Sequence, residues 1–212
     1  MIKLNVRITH IKLYNHTWKE GLHMMKTKVK YNFEPLRTAR EIAEFRESLI
    51  DLGKENAERD NFLFTFGINT GLRISDILQL KVSDVLGKSF VDVIEQKTNK
   101  VRRVTLSELA GDIISYCEGK QANDYLFTSR KGEKPISTTQ AYRILSRAGE
   151  WIGRKDIGTH TMRKTFGYHY YKRTHDVVTL MNIFGHSAPS ITKKYIGITY
   201  EEQAASLKGF KL

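Results

Sequence analysis

His160-Thr161-Met162-Arg163 is followed by Gly185-His186 and, nine positions on, by Tyr195. These residue types suit phosphate chemistry without a metal: a guanidinium to hold an anion, imidazoles to share protons, a phenol to attack. Earlier in the chain, Thr70-Gly71-Leu72-Arg73 and Gln96-Lys97-Thr98-Asn99-Lys100 add a second arginine and two lysines. His160 and Arg163 are three apart in a predicted first helical turn, so they share a face beside amides that favour a bound anion. Arg73 precedes Asp76 by three, a spacing at which a charge-assisted bond would fix the guanidinium. Lys97 lies where a predicted strand gives way to a turn, a place from which a long amine reaches a substrate. Taken singly, each feature has a plainer reading: a helix cap, a surface ion pair, a basic hairpin tip on DNA, or one packed tyrosine among ten.

Positioning these groups falls to elements readable from apolar periodicity. Ile2, Leu4, Val6 and Ile8 alternate with polar residues, predicting a strand within an N-terminal extension over 1–34 that ends in a basic connector. Ile42, Phe45, Leu49 and Ile50 recur at helical spacing between Thr38 and Asp51. A second apolar block runs from Phe62 to Ile68, and a short helix carrying Ile74, Ile77 and Leu78 puts Arg73 at a helix junction. Val82 to Thr105 changes period into short β-rich runs split by Gly87-Lys88 and Thr98-Asn99-Lys100, predicting a small antiparallel sheet of three strands. Ser107 is expected to cap the next helix, Ser187 the helix ending at Tyr195, and Thr199 the last helix through a box with Glu202. Helices are expected over 137–150, 160–173, 176–182, 188–195 and 199–208, making the domain over 35–212 α+β and mainly α-helical.

The chain's 212 residues suffice for one main domain, and its net charge of +12 points to a polyanionic partner, most simply nucleic acid. Arg163, Lys164, Lys172 and Arg173 lie among Phe166, Tyr168, Tyr170 and Tyr171, which strengthens that reading. The single Cys117 excludes an internal disulfide and a cysteine-built zinc site, and no apolar run is long enough to span a bilayer, so the cytoplasm is the expected compartment. His160, His169, His175 and His186 fall in no zinc-ligand spacing, which argues against a metal-dependent nuclease.

The order and spacing of Thr70-Gly71-Leu72-Arg73, Lys97, His160-x-x-Arg163, Gly185-His186 and Tyr195 resemble the catalytic domain of the tyrosine recombinases, or phage-type integrases, from about Pro35 to the C-terminus. The resemblance implies that Arg73 and Arg163 clamp a scissile phosphate while Tyr195 attacks phosphorus to form a 3′-phosphotyrosyl link. By the same likeness Lys97 protonates the departing 5′-oxygen, His160 assists proton transfer at the tyrosine, His186 donates to a non-bridging oxygen, and Asp76 supports Arg73. No metal or other cofactor is implied. Lys100, Arg102, Lys164, Lys193 and Lys194 are expected DNA contacts, and the implied assembly is a homotetramer on paired sites in double-stranded DNA and a monomer off it, in nucleoid-associated cytoplasm. Thr105, Met162 and Lys164 depart from the family's usual residues, and the residues before Pro35 are too few for the helical domain that such enzymes carry ahead of the catalytic part. A type IB topoisomerase and a catalytically idle DNA-binding relative are the alternatives. The tail carrying Ile198, Ala205, Leu207 and Phe210 is expected to pack in cis, with exchange between copies as its functional counterpart.

Overall fold

Phe33 to Arg130 and Gly132 to Lys211 are described by the computed structural model; the strand expected over Ile2 to Ile8 and most of the extension lie outside them. Thr38 opens α1 (Ala39–Gly53) with a reciprocal cap: Glu41 N donates to Thr38 Oγ1 at 3.1 Å, and Thr38 N donates to Glu41 Oε2 at 2.9 Å. The next helix, α2 (Ala57–Thr70), is buried nearly all round, and Phe62, Leu63, Phe64 and Phe66 make it the axis of the main core. Its ring contacts include Phe45 with Phe64 at 4.6 Å and Phe62 stacked on Tyr116 at 4.1 Å between centroids. Gly71 ends α2 at φ 60°, and a Cβ there would fall 2.4 Å from Phe166 Cδ1, so both the turn and the close approach require glycine.

After α3 (Ile74–Ile77) and α4 (Val82–Val85), β1 (Phe90–Ile94) pairs antiparallel with β2 (Val101–Thr105) in the register Phe90 to Thr105 and Ile94 to Val101. Val91, Val93 and Val104 face the core, and the turn between the strands carries Lys97 and Lys100, with Asn99 at φ 54°. Among the described residues the sheet therefore has two strands and not the three expected. Val82 and Val85 form a helical turn in which Lys81 N donates to Asp84 Oδ2 at 2.8 Å, and their i, i+3 spacing buries both on one side. Tyr125 contributes only an isolated bridge to Lys81.

The chain continues through α5 (Ala110–Cys117), α6 (Thr138–Trp151), α7 (Thr159–Thr174), α8 (Val177–Phe184), α9 (Pro189–Tyr195) and α10 (Thr199–Leu207). Three expected caps are displaced. A 3-10 turn, Ser107–Leu109, precedes α5; Ala188 with Pro189 behind it opens α9; and buried Ile198 holds the cap position of α10. Glu202 pairs instead with Lys193 Nζ at 2.9 Å and accepts from the Tyr171 hydroxyl at 2.5 Å. With Glu201 3.4 Å from Arg37, these contacts hold α10 in cis, while Tyr200, Leu207 and Phe210 remain exposed.

A second, smaller core joins Tyr168, Tyr171, Leu180, Phe184, Ile196 and Ile198. Helix α7 belongs to both cores, through Met162 in the first and Tyr168 and Tyr171 in the second. It thereby brings residues from α2 and the hairpin beside residues from α8 and α9.

Candidate active site

Arg163, buried at 3 % exposure in the second turn of α7, spans the two cores. Its Nη1 donates to Gly71 O, its Nη2 donates to Phe184 O at 3.0 Å, and the guanidinium lies 4.3 Å over the Phe184 ring. Two of its five N–H donors are thus engaged by backbone carbonyls. Burial draws this guanidinium down to about 10, an effect that Tyr195 opposes and the Arg73 charge reinforces, and it remains charged at neutral pH.

Tyr195 closes α9 against this group. Its ring centroid lies 5.6 Å from Phe184 and 5.2 Å from His186, and Lys164 Nζ sits 5.4 Å over the ring. The hydroxyl meets His160 Nδ1 at 3.1 Å. Burial pushes the phenol upward, while the charges of Arg163 and Arg73 and a hydrogen bond from Arg163 pull it back. Both histidines are held below the ordinary imidazole range, first by desolvation and then by Arg163 and its cationic neighbours, including Lys97 and Arg73. A neutral His160 can accept the phenol's proton at Nδ1, which requires the tautomer protonated at Nε2. His186 follows Gly185, which at φ 63° ends α8: His186 N donates to Met181 O at 3.0 Å and Gly185 N donates to Asn182 O at 3.1 Å. Thr192 Oγ1, 2.9 Å from His186 Nδ1, fixes the ring. The Gly185-His186 pair is therefore a helix stop that aims an imidazole.

Arg73 reaches the same place from the opposite side, and its brace is Glu95, a residue that the sequence reading missed. Glu95 Oε2 lies 2.7 Å from Arg73 Nη1, whereas Asp76 Oδ2 is 4.0 Å away and accepts no hydrogen bond. Asp76 stands beside Arg73 as an i, i+3 ion pair at the limit of contact, and Glu95 holds the guanidinium more closely. Asp76 Oδ1 instead accepts from Gln96 N at 3.0 Å and from Ser75 Oγ at 3.2 Å, tying the base of the Lys97 turn to α3. Burial works against ionised Glu95, but the close ion pair with Arg73, a hydrogen bond from Thr98 and the Arg163 charge hold its carboxyl below the usual range. The signal available in sequence was an acid at the strand end beside Gln96-Lys97. Replacing Glu95 by Gln keeps its size and removes its charge, and is expected to slow the reaction of bound substrate by roughly 10- to 10²-fold, the scale of one hydrogen bond to a charged group. Single-turnover kinetics at saturating substrate measure this; an unchanged rate would dismiss the brace.

The guanidiniums of Arg73, Arg102 and Arg163 gather with the carboxylates of Asp76 and Glu95, each within electrostatic reach of the others. Not every expected DNA contact faces outward. Lys97, Lys100 and Lys194 are exposed, and Lys193 is half-buried on Glu202. Lys164 and Arg102 are corrections. Lys164 is buried beneath Tyr195, because its position on α7 points inward one residue after Arg163. Arg102 donates to Thr70 O at 2.7 Å and Gly71 O at 3.2 Å, because it lies on the core-facing side of β2 with Val104. Phe33, the first described residue, stacks on His160 at 6.3 Å, so the expected boundary at residue 34 falls inside the packed unit. Among the described residues no three His, Cys, Asp or Glu side chains converge as metal ligands, and no helix is long and apolar enough to cross a membrane.

A model of the Phage integrase family matches residues 37–202. The probable integrase/recombinase YoeC of Bacillus subtilis (strain 168) is 47% identical over 178 residues, covering 84% of this chain and 96% of that protein. Tyrosine recombinase XerA of Pyrococcus furiosus is 28% identical over 158 residues, 72% of this chain and 55% of that one, so the chain spans about half the length of that relative. Among solved structures, XerH site-specific recombinase bound to palindromic difH substrate, a post-cleavage complex, superposes with a TM-score of 0.63 at 23% identity, covering 83% of this chain and 53% of that one. A lambda integrase(75-356) dimer bound to a COC′ core site gives 0.62 at 17% identity, covering 88% and 69%. At these identities the likeness is one of fold.

Proposed function

The chain belongs to the phage integrase family, the tyrosine recombinases, and on that premise we propose that it cleaves and rejoins double-stranded DNA through a 3′-phosphotyrosyl ester on Tyr195. The observation that carries the reading is the 3.1 Å contact between His160 Nδ1 and Tyr195 Oη, with the Arg163 and Arg73 charges bearing on the same phenol. A phenol is a poor nucleophile at neutral pH, and this setting supplies what it lacks: a base for its proton and cations for its developing charge.

In the proposed step His160 accepts the phenolic proton as Tyr195 Oη bonds to phosphorus and the bond from phosphorus to the 5′-oxygen breaks. Lys97 returns a proton to that oxygen, leaving a free 5′-hydroxyl. Arg73 and Arg163 hold the non-bridging oxygens, and His186, engaged at Nδ1 by Thr192, offers Nε2 to one of them. One phosphate ester replaces another, so a 5′-hydroxyl reverses the step without ATP. Residues from about 35 onward form the catalytic domain, with Lys100 and Lys194 on the DNA backbone. The wider proposal is a monomer off DNA and a homotetramer on paired sites, acting in the nucleoid-associated cytoplasm. The exposed Tyr200, Leu207 and Phe210 support contact between copies at the tail.

The test is incubation with a nicked suicide duplex that loses its 5′-hydroxyl fragment after cleavage. A protein–DNA adduct surviving denaturation, formed equally with and without a chelator, is expected; its absence with every duplex would remove the activity from the proposal. The pH dependence follows from His160. Its lowered proton affinity means the neutral base persists to acid of the ordinary 6.5, and protonation below that point stops proton transfer. Adduct formation at subsaturating DNA is therefore expected to be flat near neutrality and to fall on the acid side with a midpoint under 6.5, and His160→Ala should abolish that limb. A limb retained in the variant would assign the titration elsewhere.

A further inference from the structure

Arg102 reads in sequence as one more cation of a basic hairpin, yet its side chain turns inward. It stands opposite Val93 in the β ladder and crosses from the sheet to the end of α2. Nη2 donates to Thr70 O at 2.7 Å and Nη1 to Gly71 O at 3.2 Å, carbonyls that the end of a helix leaves without partners. Gly71 O also accepts from Arg163 Nη1, so both of its lone pairs are taken by guanidiniums. Arg73 follows two residues later as the cap of α3, with buried Leu72 between them.

We propose that Arg102 is a positioning residue for DNA cleavage: by holding the Thr70 and Gly71 carbonyls it fixes both the turn from which Arg73 extends and the carbonyl that braces Arg163. The proposal rests on the reading of Arg73 and Arg163 as the phosphate clamp. Charge balance is not what Arg102 supplies, because a third cation beside two others opposes their approach; burial and the Arg163 charge together draw its own guanidinium down to about 10. Its contribution is geometric. A planar fork bridges two carbonyls at once, which a lysine's single ammonium does not reproduce. The same fork attaches the hairpin to α2, a second anchor beside the Gln96 N to Asp76 bond, so the turn bearing Lys97 is fixed to the base of Arg73. The sequence signal is an arginine at a core-facing strand position, five residues beyond Lys97.

The experiment compares Arg102→Lys and Arg102→Gln with the wild type. Adduct formation on the nicked suicide duplex at saturating DNA is expected to fall on the order of 10²-fold in both, the usual effect of misplacing reacting groups by about an ångström. DNA affinity and its salt slope should stay unchanged. A backbone contact would behave oppositely, with a normal rate at saturation, weaker binding and a slope reduced by about one; that result would overturn the proposal. Unfolding of both variants, seen by thermal denaturation, would also overturn it by making Arg102 a residue of the fold. Nitrogen NMR of the arginine side chains in the free protein separates this inference from the function it rests on. The Arg163 signals should move in Arg102→Lys even if the wild type cleaves no duplex, and unmoved Arg163 signals would end the proposal.

Discussion

Replacing Tyr195 by Phe is expected to leave DNA binding within a few-fold of wild type and to reduce adduct formation below detection. The ring of Tyr195 packs between Phe184 and His186 with Lys164 beneath it, and phenylalanine keeps all of these contacts. What it removes is the hydroxyl 3.1 Å from His160 Nδ1, the proposed nucleophile. The stability change should be about 1 kcal/mol or less, the ordinary worth of one hydrogen bond, so melting temperature and adduct yield part company in this variant. A Tyr195→Phe protein that still became attached to DNA would direct attention to Tyr168, Tyr170, Tyr171 or Tyr200 and undo the assignment. Equal activity in every assay, with no adduct from either protein, would favour a DNA-binding relative that performs no chemistry.

The second large effect is expected at Arg163. Truncation to Ala takes away a cation that the proposed step sets against the transferred phosphate, and losing one such preorganised donor costs about 10²–10³-fold in rate. It also leaves Phe184 O without its donor and Gly71 O with Arg102 alone, so a stability loss of roughly 1–3 kcal/mol should accompany it. Arg163→Lys separates the two losses. An ammonium restores charge but does not reach both carbonyls while offering a fork to phosphate, so the rate should remain depressed at least 10-fold after binding is saturated. Single-turnover adduct formation beside calorimetric melting measures both variants, and a lysine variant that cleaves at the wild-type rate would reduce Arg163 to a point charge.

Helix spacing made α1, α6 and α8 legible within a residue or two, because each buries one face against a core and apolar positions repeat accordingly. The placement of His160, Arg163, His186 and Tyr195 in one site was legible through the order of their motifs. What joins the site was not. Glu95 and Arg73 are 22 residues apart and meet only because the hairpin folds over α3; nothing local to Glu95 marks a partner. Arg102 and Arg103 look alike in sequence, and strand alternation alone separates them, with one side chain turned to the carbonyls of α2 and the other paired with Asp92 on the solvent side. Lys164 was misread for the same reason on a helix, since α7 is enclosed by two cores and has no outward face at that turn. Val82 and Val85 suit either a strand or one helical turn, and a four-residue run carries too little periodicity to choose.

The most direct test is to map the covalent bond itself. Wild-type protein trapped on a nicked suicide duplex is digested, and the peptide bearing the nucleotide remnant is sequenced by mass spectrometry. A single modified residue, Tyr195, carrying the 3′-phosphate of the cleaved strand is the expected result; attachment through any other side chain, or through a 5′-phosphate, would contradict the account.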